Sequence, residues 1–255
     1  MIQELKAGKL TVKIYENRHL MGISAAKEAA SYIIEQLNIK EELNIVFAAA
    51  PSQNDFLAGL IKTDGIQWNR INAFHMDEYI GLPEDAPQGF GNFLKAAIFS
   101  KLPFLSVNYI NGRNPDPIIS CNNYMQLLLG NLIDIVFMGI GENGHIAFND
   151  PHVALFNDLE IVKVVDLDEV CRTQQVNDGC FSSLDQVPTH ALTLTIPALL
   201  SGERIFCIVP SKKKAKAVKS TVLDRISERC PASILRMHEA ATLYCDKDSA
   251  ELLLY

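Results

Sequence analysis

The apolar positions of this chain fall into short blocks whose period switches between two and 3.6. Leu10-Thr-Val-Lys-Ile-Tyr15 alternates, which predicts a strand. Asn17 follows as a capping side chain. Leu20, Ile23, Ala26, Ala30, Ile33, Ile34 and Leu37 then recur at helical spacing, predicting a helix to about Leu37. Residues 43–48 are a nearly continuous apolar run, the mark of a strand buried on both faces. They lead into the turn-rich Ala49-Ala-Pro-Ser-Gln-Asn-Asp55 and a helix ending near Ile61. Residues 71–76 predict a third strong strand, which stops at Asp77-Glu78. Gly81, Pro83, Pro87, Gly89 and Gly91 predict a loop, with a helix over 93–99, a short strand over 107–110 and a helix around 122–129. Ile133-Asp-Ile-Val-Phe-Met138 reads as the central buried strand. Strands over 160–165, 191–195, 204–209 and 241–245 and a helix over 213–222 complete the pattern, while 168–187 are polar and carry no assignable period. Strands alternate with helices, so the fold class is α/β: a largely parallel sheet with helices on both faces.

Length and composition narrow the picture. The chain has 255 residues, 48% of them hydrophobic, enough for one large domain spanning 1–255. A net charge of −7 and a pI near 5.4 argue against a nucleic-acid partner. The six cysteines form no C-x-x-C pair and several sit in apolar runs, as reduced core thiols of a cytoplasmic protein would. The N-terminus has no apolar stretch of the signal-peptide kind, and no apolar run approaches the ~20 residues of a membrane span.

The chemistry concentrates after the central strand, in Gly139-Ile-Gly-Glu-Asn-Gly-His-Ile-Ala-Phe-Asn-Asp-Pro151. Gly139, Gly141 and Gly144 match G-x-G-x-x-G, and Asp166 lies at the distance a dinucleotide fingerprint would want. That fingerprint needs a helix of roughly 10–15 residues directly after the third glycine. Pro151 and the turn-forming Asn149-Asp150 leave no room for it. The glycines instead let the backbone approach a small ligand, with their amides as a nest for an oxyanion or phosphate and His145 as the titratable group beside it. Asp77, at the carboxyl end of another buried strand, falls on the same rim if the two strands run parallel. A carboxylate there acts as a base at neutral pH only through burial and positioning. Asp77, Glu78, His145 and Asp150 show no fixed local ligand spacing and no His-x₃-His, so no metal site is expected.

Met76-Asp-Glu-Tyr-Ile-Gly-Leu82, the glycine-histidine stretch and Val187-Pro-Thr-His-Ala-Leu-Thr-Leu-Thr195 together closely resemble the signatures of glucosamine-6-phosphate deaminases (isomerases), in order and separation, over about 10–254. The sister family, 6-phosphogluconolactonase, shares a Gly-His turn but usually continues Thr-Ala-Ser. The resemblance implies a Rossmann-like fold and a cofactor-free reaction turning an amino-sugar phosphate into a ketose phosphate and ammonia. It implies that His145 opens the sugar ring with help from Asp150 and Asn143, and that Asp77 moves a proton from C2 to C1. Ser52, Gln53, Glu78, Gly141, Gly144 and Lys214 would hold the substrate, with Lys214 at the phosphate. A lactonase and a non-catalytic sugar-phosphate-binding protein are the competing readings. The family leaves a homo-oligomer open.

Four departures from the family pattern stand out. Asn143 takes the place of a frequent aspartate, and an amide orients a histidine but is no base. Asp150 replaces the usual glutamate and is shorter by about 1.5 Å. Either the backbone moves closer or a water bridges the gap. The phosphate loop, typically Thr/Ser-Gly-Gly-Thr/Ser-Pro, here reads Ala49-Ala-Pro-Ser-Gln-Asn54. The family's phosphate-binding arginine has no counterpart in Gln175-Val-Asn-Asp-Gly-Cys180, although Arg172 is near. The acidic segment 156–160 also lacks the basic residues of an allosteric site, which implies no activation by an N-acetylated sugar phosphate.

Overall fold

The apolar run ahead of the glycine turn lies in the middle of an eight-stranded sheet in the computed structural model, which describes residues 1–254. The strands are β1 (Gln3–Ala7), β2 (Leu10–Tyr15), β3 (Leu43–Phe47), β4 (Ile71–His75), β5 (Asp77–Tyr79), β6 (Ser106–Asn108), β7 (Ile135–Met138), β8 (Val162–Asp166), β9 (His190–Leu194), β10 (Arg204–Val209) and β11 (Ala241–Asp246). The large sheet runs β1-β2-β11-β10-β7-β3-β4-β6, parallel throughout except for the edge hairpin β1–β2. A separate three-stranded antiparallel sheet, β5-β9-β8, stands beside it.

Seven α-helices accompany the strands among the described residues: α1 (Arg18–Leu37), α2 (Asn54–Ile61), α3 (Phe90–Leu94), α4 (Pro117–Gly130), α5 (Glu169–Asn177), α6 (Ile196–Leu200) and α7 (Ala215–Leu223). Asn17 caps α1 as its position suggests, accepting from the Leu20 N–H at 2.9 Å. Alternate residues of each central strand enter different cores. Ile135 and Phe137 pack with Met21 of α1, Phe56 of α2 and Phe90 of α3, whereas Val136 and Met138 pack with Tyr124 of α4, Leu199 of α6 and Val218 of α7. This two-sided cover is why the strands read as unbroken apolar runs. Burying one such side chain contributes about 1.5–3 kcal/mol.

The structure departs from the sequence reading in a few places. β1 was not expected. The strand ending at Met76 does not simply stop, because Asp77–Tyr79 passes into the second sheet as β5. The polar stretch 168–187 holds α5, and the helix around 122–129 begins earlier, at Pro117 on an Asp116 cap.

Candidate active site

Because β3, β4 and β7 run parallel, their carboxyl ends open on one side of the sheet. A cavity there is lined by Ser52, Gln53, Asp77, Gly139, Gly141 and His145, together with Gln174, Gln175, Asp178 and Lys214. The second sheet ties its parts together. Asp77 pairs with Thr193 across β5 and β9, and the Thr193 hydroxyl accepts from the Phe148 N–H of the glycine-histidine loop at 3.1 Å. Asn149, fully buried, donates to the Leu194 carbonyl at 2.9 Å. The loop is therefore fixed to the strand beside Asp77.

Two glycines shape the loop for different reasons. Gly144 turns the chain at φ +88°, in the left-handed region. Gly141 is required by space: a Cβ there would lie 2.2–2.4 Å from three ring atoms of His145. His145 Nδ1 stands 2.8 Å from Asp150 Oδ1, an ion-pair distance, although the ring N–H is not aimed for a directed hydrogen bond. The shorter aspartate thus reaches the imidazole with no bridging water. Asn143 orients both groups, donating to Asp150 Oδ1 at 2.8 Å and accepting from the His145 N–H at 3.0 Å. Burial raises the Asp150 pKa, but the contact with His145 and the Asn143 amide outweigh it and hold the carboxyl below its ordinary value.

Asp77 is 6% exposed. Burial, reinforced by Glu78, pushes its carboxyl well above the usual carboxylate range, with no hydrogen bond to offset the shift. Lys214 is 7% exposed and has no carboxylate within ion-pair distance among the described residues. Burial lowers its pKa against the pull of Asp178 and Glu142. A buried ammonium facing a cavity in this way suits an anionic ligand group.

Five expected or suspected residues do not line the cavity: Asn143 and Asp150 stand behind His145 and touch it from there, and Glu78, Gly144 and Arg172 face elsewhere. Glu78 is withdrawn: successive side chains on β5 point to opposite faces, so Asp77 turns in and Glu78 turns away. Its carboxylate accepts from the N–H groups of Tyr79, Phe90 and Gly91 at 2.8–3.0 Å and pins the 82–91 loop. Gly144 shapes the turn without lining the cavity. Arg172 donates to the carbonyls of Leu184 and Val187, so it is no substitute for the missing arginine. Sequence reasoning missed Gln174, Gln175 and Asp178, which come from the unassigned segment. Ser52 and Gln53 do line the cavity, and Gln53 Nε2 donates to the Ile208 carbonyl at 3.2 Å.

Residues 16–244 match the profile of the glucosamine-6-phosphate isomerase/6-phosphogluconolactonase family. The chain belongs to that family. Within it, the chain is 32% identical over 192 residues to the glucosamine-6-phosphate deaminase of Bacillus cytotoxicus, covering 75% of this chain and 71% of the relative. It is 30% identical over 226 residues to that of Bacillus cereus, covering 88% and 84%. The structure of a monomeric glucosamine-6-phosphate deaminase superposes with a TM-score of 0.85 at 31% identity, over 94% of this chain and 99% of that one. The 6-phosphogluconolactonase of Thermotoga maritima gives 0.76 at 19% identity, over 93% and 100%, a likeness of fold alone. No helix of the described residues is long and apolar enough to cross a membrane.

Proposed function

We propose that this protein is a hexosamine-phosphate deaminase, taking glucosamine 6-phosphate and water to fructose 6-phosphate and ammonia. One observation carries the reading. A buried carboxylate, Asp77, shares a cavity with His145, whose Nδ1 lies 2.8 Å from the Asp150 carboxylate behind it, and with the buried Lys214. The reaction needs two separate proton-transfer groups, since C2–H is acidic only beside an open-chain carbonyl. His145, held by Asp150 and Asn143, shuttles the proton that opens the ring. Asp77 takes the C2 proton and returns it at C1. Water then adds at C2 and ammonia leaves. Lys214, with Ser52 and Gln53 nearby, receives the phosphate. The free cysteines, five of the six buried, support a reducing cytoplasmic setting.

The test is ammonium release from glucosamine 6-phosphate with the ketose phosphate assayed in parallel. Equimolar products, lost in His145→Ala and Asp77→Asn, are expected. Hydrolysis of 6-phosphogluconolactone without ammonia would replace this reading with the lactonase. Tight binding of the sugar phosphate with no turnover would replace it with a sensor.

A further inference from the structure

Behind the imidazole of His145 lies a side chain that the proposed reaction does not use. Cys171 sits in the first turn of α5 and is 1% exposed. Asp168, the cap of that helix, fixes its position by accepting from the Cys171 N–H at 2.6 Å. One ligand atom each from His145, Asp150 and Cys171 fall within 4.8 Å of one another. Asp150 is completely buried and faces the Cys171 thiol as well as His145, and its Oδ2 accepts no directed hydrogen bond from the described residues. His145 Nδ1 likewise makes no directed hydrogen bond. The glycine-histidine loop and the start of α5 thus bring an imidazole nitrogen, a carboxylate oxygen and a sulfur to one point.

We propose that His145, Asp150 and Cys171 form a site for a zinc-class divalent cation, and that the ion inhibits the protein by capturing its own ring-opening histidine. The donor set selects the metal. Nitrogen, oxygen and thiolate sulfur are the three ligand types zinc takes, whereas magnesium and calcium require an oxygen cage. Charge also balances: a thiolate, a carboxylate and a neutral imidazole together cancel the two positive charges of the ion, which a site this buried demands. On binding, the thiol proton and any imidazole proton pass to solvent, and nothing is oxidised or reduced. His145 lines the cavity, so its imidazole is the member of the set that an ion arriving from solvent would meet first. Once the ion holds Nδ1, the Asp150 contact is replaced and the imidazole no longer carries a proton to the sugar.

Metal capture stands on geometry alone, while the inhibition arm rests on the proposed deaminase activity, so the experiment reads them separately. The whole protein is titrated with Co2+ as a spectroscopic stand-in, and with Zn2+ in the ammonium-release assay. A stoichiometric complex showing thiolate-to-cobalt charge-transfer absorption is expected, absent in Cys171→Ala and Cys171→Ser. Micromolar Zn2+ should lower turnover about tenfold or more, reversibly on chelation, while Mg2+ and Ca2+ have no effect. Both variants should keep the parent turnover without zinc and need at least about tenfold more zinc for the same inhibition, the scale on which even outer-shell partners matter. Three results would overturn the proposal: cobalt binding without the thiolate band, zinc inhibition unchanged in the Cys171 variants, or loss of binding in His152→Ala instead. The last would move the ion to the neighbouring set of Asp150, His152 and Asp168. If no substrate is turned over, the cobalt spectrum still decides whether the metal site exists.

Discussion

His75 holds the backbone of Asp77 from below. The Ile110 N–H donates to His75 Nε2 at 2.9 Å, so that nitrogen is the acceptor, and Nδ1 carries the proton donated to the Asp77 carbonyl, also at 2.9 Å. The ring is completely buried, and burial lowers its pKa to about 4. It is therefore a neutral strut, fixed in one tautomer at the junction where the chain leaves the large sheet for the small one. His75→Ala should lower kcat by about 10–100-fold with little change in KM, since the carboxylate is misplaced and the sugar's anchors are not. His75→Asn, which keeps a donor near the Nδ1 position, should recover part of the loss. An equal fall in both variants, or a change confined to KM, would argue against a positioning role.

The same histidine sets an acid limit on stability. Its folded pKa lies below its unfolded value, so the unfolded chain binds more protons between pH 6.5 and about 4. Its contribution is present above that window and is lost as pH falls through it, by up to about 3 kcal/mol. Asp77 works in the opposite sense, its raised pKa favouring the folded state at low pH. Urea midpoints across this range should fall more steeply with decreasing pH in Asp77→Asn than in the same variant carrying His75→Asn, the difference isolating the histidine from carboxylates such as Asp150. Identical profiles in the two variants would mean that His75 protonates without disturbing the fold.

Asp77 itself exchanges stability for chemistry. An ionised carboxylate in this setting has lost its hydration and gained no hydrogen bond. Asp77→Asn should abolish ammonia release and raise stability by about 1 kcal/mol, roughly 2–4 °C in Tm for a chain of this size. A base must be deprotonated to act, so kcat/KM should fall on the acid side at a pH above the ordinary aspartate range. An acid limb at or below pH 4 would show that the substrate-free carboxyl is not raised as its burial requires.

Much of this was legible because parallel strands covered on both faces announce themselves as apolar runs, and the site sits where those runs end. What escaped notice has physical reasons. β1 is an exposed edge, Gln3-Glu-Leu-Lys-Ala7, with only Ala7 buried. β5 is three residues long and owes its existence to β9, more than a hundred residues away, so no local pattern marks it. That missing strand is why Glu78 was grouped with Asp77: adjacent carboxylates look equivalent until the alternation of a strand separates them. α5 shows no apolar stripe because its buried face includes Gln174 and Gln175, which turn toward the cavity rather than the core. Cys171, buried on that helix, gave no ligand signal because its partners lie more than twenty residues earlier. The one deletion noticed in advance, the missing arginine, pointed to the right segment without disclosing that Asp178 lines the cavity there.

Gly141 tests whether the imidazole must stand where it does. The Cβ of Gly141→Ala would overlap the ring at 2.2–2.4 Å, and the ring can escape only by leaving Asp150. Turnover should fall by about 100-fold, while Tm moves by only a few degrees because a side chain rather than backbone gives way. Retained activity would mean that the ring has a second productive position.

Opposite charges in the cavity lining make opposite predictions for two neighbours. Lys214 is a buried cation facing the cavity, and Asp178 lines it as well, tempered by Lys213 at 3.9 Å. A phosphate arriving at Lys214 meets the field of Asp178 as well. Lys214→Met should raise KM for glucosamine 6-phosphate by about 100-fold while sparing kcat, because a charge-assisted contact made equally in ground and transition states is lost. It should also raise Tm, since a buried ammonium without an ion pair is removed. Asp178→Asn should do the reverse to affinity and lower KM several-fold. That gain should shrink as salt is added, because the cavity opens to solvent and the interaction is screened. If both variants raise KM, Asp178 is holding Lys214 in place rather than opposing the phosphate. Double-variant kinetics would then show the two losses to be non-additive.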